Sequence, residues 1–102
     1  MRTMFSHIVV FWTLPLNLAA ADELLAGATK LLKEVPGVLQ FHAGKMVPSQ
    51  RSVVEQSYQV ALNFIFPDKQ AMLDYQTHPL HTEFVERYVK RLVKKVRVYD
   101  FE

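Results

Sequence analysis

Apolar and polar positions recur along the chain in two periods, and the switches between them predict seven elements. Phe5–Thr13 is rich in β-branched and aromatic residues, as strands are, and Leu14-Pro15 breaks it. From there apolar residues fall at Leu18, Ala21, Leu25, Ala28, Leu32 and Val35, in alternating steps of three and four. That is a helical period, with Asn17 placed to cap it and Val35-Pro36-Gly37 placed to stop it. A second strand is expected over Val38–Val47, then a polar turn over Pro48–Ser52. Gln56–Phe66 alternates Tyr58, Val60, Leu62, Phe64 and Phe66 against more polar positions and reads as a third strand. Asp68 can cap a short helix running to Tyr75, which Thr77-His78-Pro79 interrupts, because a residue before proline avoids helical angles. Pro79 then starts another helix to about Val93, with His78 as its cap, and Val96–Phe101 is a last strand.

The order β-α-β-β-α-α-β, with the two short helices taken as one broken crossover, is the split β-α-β ferredoxin-like arrangement. It predicts a single α+β domain over residues 1–102, a four-stranded antiparallel sheet with helices on one face. His7, Val9 and Phe11 point to one side of the first strand, and Ile8, Val10 and Trp12 to the other. Helices cover only one of those sides. Three large side chains left in water would forgo about 1.5–3 kcal/mol each. A second copy packed sheet to sheet, with Ile65 and Tyr99 on the same phase, resolves this, so a homodimer is expected.

Composition narrows the function. Half of the 102 residues are hydrophobic, 22% are charged, and there is no cysteine, which removes disulfides, thiolate metal sites and cysteine nucleophiles. No apolar run reaches the roughly 18 residues of a membrane span, and no membrane partner is expected. Arg87, Lys90, Arg91, Lys94, Lys95 and Arg97 form a basic cluster. A solvated helix face accounts for it, and with a net charge of only +2 no nucleic-acid partner is expected. The opening MRTMFSHIVVFWTLPLNLAAADE also has the build of an export signal: Arg2, an apolar run, then Ala19-Ala20-Ala21. Removing it would delete a central strand, and His7 interrupts its apolar run, so strand and helix are expected here and the cytoplasm is the expected compartment.

The segments HIVVFW, KEVPGVLQFHAGK, ALNFIFPDKQAMLDYQTHPLHTEFVE and VRVYDFE, in that order and spacing, resemble the stress-responsive A/B barrel (Dabb) domain family. The most specific part is HPLH at residues 78–81. The resemblance implies a ferredoxin-like domain that dimerises into an α+β barrel. It also implies a candidate chemistry, because one enzyme type within the family, olivetolic acid cyclase, closes a polyketide by an aldol reaction without metal or cofactor. The histidine and tyrosine of that enzyme match His81 and Tyr75, and a first-strand histidine matches His7. Leu24 and Leu25 stand where the cyclase has aromatics, and Leu92 or Val93 where it has tryptophan, so the pocket wall differs. Removing a proton α to a carbonyl suits histidine, whose pKa lies near the working pH, and a phenol can hydrogen-bond the developing enolate.

The function then has three readings. In the first, a cleft between helices and sheet, lined by Val9, Phe11, Leu62, Phe64, Phe84, Tyr88 and Val98, binds a small apolar or aromatic ligand. In the second, a cofactor-free cyclase or lyase uses His81, Tyr75 and His7. In the third, the domain is a structural module without ligand, and His81 and Tyr75 are ordinary core groups. His78, His81 and His7 have no evident carboxylate beside them, so no metal is expected. His81, Phe84, Tyr88 and Leu92 should share the inner face of the final helix, with His81 within hydrogen-bond reach of Tyr75, directly or through one water.

Overall fold

The computed structural model describes residues 4–102; Arg2 of the export-signal reading lies outside them. Strand β1 spans Phe5–Thr13 and α1 Ala20–Leu31, followed by β2 (Gln40–Lys45) and β3 (Val60–Phe66). After them come α2 (Lys69–Thr77), α3 (Pro79–Phe84), a π-helical turn (Val85–Val89), α4 (Lys90–Leu92) and β4 (Val93–Phe101). The four strands form one antiparallel sheet in the order β2-β3-β1-β4. This is the ferredoxin-like arrangement, with β1 in the centre and the helices on one face.

Local chemistry explains the junctions. The side chain of Asp68 accepts the Ala71 N–H at 2.9 Å and starts α2. His78 Nδ1 accepts the Leu80 N–H at 3.1 Å, and Pro79 opens α3 at a position where its missing N–H costs nothing. Pro36 and Gly37 form the corners of a turn closed by Val38 N–H to Val35 carbonyl at 3.3 Å. Gly37 sits there at φ +92°, a left-handed angle that suits glycine.

Helix α1 begins later than its apolar stripe predicts. Asn17 does not cap it; its side-chain oxygen takes the Ala19 N–H at 3.2 Å, two residues on. Leu18 is therefore left 95% exposed in the preceding turn, while Leu32 and Val35 stay buried beyond the helix end. β2 and β3 are shorter than expected, and 46–59 is a connection whose Tyr58 meets Trp12 edge on. β4 starts at Val93 rather than Val96, because Thr13 pairs with Val93 across an irregularity in the ladder.

The core lies between the sheet and the helices. Phe5, Val9, Phe11, Val60, Leu62, Phe64 and Phe66 from the sheet meet Leu24, Ala28, Leu31, Met72, Tyr75, Phe84 and Leu92 from the helices. Burying groups of this size, at about 1.5–3 kcal/mol each, is what holds the two layers together.

Candidate functional site

A cavity of about 190 Å³ opens between the sheet and the segment from α2 to the π-helical turn. His7 and Val9 reach it from β1, where alternate residues point to the helix side. Tyr75 comes from the last turns of α2, and His81 from the first turn and a half of α3. The cap at His78 fixes the angle between those two helices and so brings their side chains together. Tyr75 and His81 meet edge to face at 4.9 Å between ring centroids, and His7 meets Tyr75 at 5.8 Å. The three polar rings form one corner.

Val9, Phe11, Leu62, Phe84 and Val98 line the cavity. Phe64 and Tyr88 do not. Phe64 is fully buried behind Tyr75, at 4.9 Å between centroids, and stacks on Phe66. Tyr88, in the π-helical turn, packs behind Phe84 and against Gly27 of α1. Gln76, Val85, Val89 and Val96 line the cavity and were not anticipated.

The residue that sequence reasoning missed is Asp100. Register pairs His7 with Asp100 across β1 and β4, and His7 Nδ1 stands 2.5 Å from Asp100 Oδ1. A carboxylate therefore does stand beside one of the histidines. In the neutral ring with Nδ1–H donating to the carboxylate, Nε2 is left as an acceptor. The alternation Val96, Val98, Asp100 on the inner phase of the last strand was the available signal. It becomes decisive only once the pairing register is known.

Electrostatics distinguish the other two groups. Burial pushes the Tyr75 phenol above its ordinary pKa, so it is a neutral O–H donor. Among the described residues no group hydrogen-bonds that hydroxyl, and no direct hydrogen bond joins it to His81. Burial lowers the His81 pKa, and the neighbouring His7 lowers it further, with a partial offset from the Gln76 backbone. His81 is thus a neutral imidazole at neutral pH. His78 spends its Nδ1 on the helix cap. No three His, Asp or Glu among the described residues are grouped to hold a metal ion.

Fold and site together define a ferredoxin-like α+β domain with a helix–sheet cavity and a polar corner. The stress-responsive A/B barrel domain model matches residues 5–102, and the chain belongs to that family. A stress-response A/B barrel domain-containing protein of Arabidopsis thaliana, HS1, is 31% identical over 81 residues, 79% of this chain and 72% of the relative. Among solved structures, a dimeric protein of unknown function and ferredoxin-like fold from Bacteroides fragilis aligns with a TM-score of 0.79 at 15% identity, covering 100% of this chain and 99% of that one. A hydroxynitrile lyase from Passiflora edulis also aligns at 0.79, with 17% identity over 99% of this chain and 94% of the lyase. These two show the shared fold. No helix of the described residues is long and apolar enough to cross a membrane.

Proposed function

We propose that the cavity binds a small aromatic or apolar carbonyl compound, one ring with a short substituent. The observation that carries this reading is the cavity itself, about 190 Å³ of largely apolar wall with its polar groups gathered at His7, Tyr75 and His81. An apolar cavity of about 150 Å³ accommodates benzene, so there is room for a ring and a few further atoms. A neutral phenol that no described residue hydrogen-bonds suits a carbonyl oxygen. Calorimetric titration with acetophenone should show saturable binding, weakened about 2- to 10-fold by Tyr75→Phe through loss of one hydrogen bond. Absence of saturable binding by single-ring ketones and aldehydes would end this reading and leave the structural module.

The His7–Asp100 pair favours a second reading, a cofactor-free lyase or cyclase. A carboxylate on Nδ1 holds the imidazole in one tautomer and stabilises it as Nε2 takes a proton. His7 or His81 would remove a proton α to a carbonyl, and Tyr75 would donate to the enolate oxygen that forms. The Passiflora hydroxynitrile lyase supports this only as a reaction that the fold carries elsewhere. Exchange of the acetophenone methyl protons with deuterated solvent, followed by NMR, tests it. Exchange above the buffer rate should vanish in His81→Ala and His7→Ala and fall about 10- to 10⁴-fold in Tyr75→Phe. Wild-type exchange at the buffer rate would remove catalysis and leave binding.

We also read the protein as a homodimer joined through the sheet faces opposite the helices. Ile8, Val10, Trp12, Ile65 and Tyr99 share that face, and the Bacteroides fragilis protein of the same fold is dimeric.

A further inference from the structure

The π-helical turn bears on the cavity wall through Tyr88. One inserted residue rotates the downstream residues by about 100° relative to an unbroken α-helix. Tyr88, inside that turn, faces α1, and there its ring meets Gly27. A methyl group on Gly27 would lie 2.6 Å from Tyr88 Cε1 and 2.7 Å from Cδ1. Gly27 lies within α1 without a left-handed φ. Space, not backbone freedom, makes it a glycine.

The same tyrosine ring stacks on Phe84, with centroids 6.0 Å apart and planes 26° apart. Phe84 is a wall of the cavity, and it meets Phe11, another wall residue, edge on at 6.2 Å. We propose that Gly27 and Tyr88 are a positioning pair that sets the width of the cavity, so that it admits one aromatic ring and rejects two. Tyr88 limits how far Phe84 can withdraw from the cavity, and it takes its seat only because residue 27 has no side chain. Val85 and Val89, at the two ends of the same turn, complete the wall. The inference rests on the ligand-binding reading of the cavity for its consequence, and on packing alone for its mechanism.

The test compares wild type, Tyr88→Leu and Gly27→Ala with two probes, acetophenone and 2-acetylnaphthalene, by calorimetry, alongside a crystal structure of each protein. Wild type should prefer the single ring. Tyr88→Leu should shift the affinity ratio at least about tenfold toward the two-ring ketone, the scale on which pocket shape discriminates, and its crystal structure should show Phe84 withdrawn and the cavity wider. Gly27→Ala should displace the Tyr88 ring and change the position of Phe84. A general loss of stability would lower both affinities without moving their ratio. An unchanged ratio in folded Tyr88→Leu, or Phe84 and the cavity unmoved in both variants, overturns the proposal. Should wild type bind neither ketone, the ligand-binding reading falls, and the cavity volumes of the variants still decide whether this pair sets the wall.

Discussion

On the helix side of β1, Phe5, His7, Val9 and Phe11 are between 3% and 7% exposed, whereas on the other side Ile8, Val10 and Trp12 remain partly open. The two sides are equally apolar in sequence. On the inner side two buried polar rings sit within the apolar surface, each against a more open partner: His7 on Asp100, and Tyr75 against His81. On the outer side, a hollow of about 500 Å³ is lined by Ile8, Val10, Trp12, Tyr58 and Tyr99, with Lys95 and Arg97 among them. Hydrophobic content therefore does not distinguish the cavity face from the outer face. What distinguishes them is that His7 and Tyr75 are enclosed within the protomer on one, while Lys95 and Arg97 lie exposed on the other.

Substitutions on the inner side should cost the most stability. Phe64→Ala removes a fully buried ring that supports Tyr75 and should cost about 3–5 kcal/mol, read by chemical denaturation. A loss below 1 kcal/mol, on that same scale of about 3–5, would show that the inner layer is not the core. Trp12→Lys or Ile65→Lys, by contrast, should leave the protomer folded and halve the mass seen by light scattering. A wild-type monomer at micromolar concentration would remove the dimer.

Protonation of the polar corner should have a smaller effect. The folded pKa of His81 is below its ordinary value, so as pH falls the unfolded chain binds a proton before the folded protein does. The stability owed to the neutral ring is complete above the ordinary histidine value of about 6.5 and is lost as pH falls through the folded value. His81→Gln should flatten that acid limb of Tm against pH; identical limbs would mean that the ring is not desolvated. The smallest effect belongs to the solvated helix face, where Lys90 and Glu86 pair at 2.7 Å. Lys90→Ala should cost about 0.3–0.5 kcal/mol and less in high salt. A cost above 2 kcal/mol, far beyond the roughly 0–1 typical of exposed pairs, would contradict that face's solvent role.

The elements legible in the sequence were those with a physical stop. β1 ends where predicted because alternation fails at Leu14-Pro15, and α2 and α3 divide at His78-Pro79 because proline forbids continuity. The start of α1 was not legible. Leu18 keeps helical phase with Ala21 and Leu25, yet a local hydrogen bond from the Ala19 N–H to the Asn17 side chain diverts the backbone for two more residues. At the site, His7, Tyr75 and His81 could be placed from strand phase, helix phase and family resemblance. Asp100 and Tyr88 could not. The first depends on strand register, which alternation within one strand does not determine. The second depends on a single inserted residue in a helix, which leaves the apolar period almost intact.

Trp12 is the only tryptophan of the chain, and its indole N–H donates to Ser57 Oγ at 2.9 Å while the Lys95 ammonium lies 4.5 Å above the ring. The sheet separates it from the cavity. Intrinsic fluorescence excited at the indole band is thus a built-in optical probe of one side of the molecule only. Its emission should move to the blue as dilute protomers associate and solvent leaves the ring, and should stay constant while a ketone fills the far side, so the two events can be followed separately in one cuvette without a label.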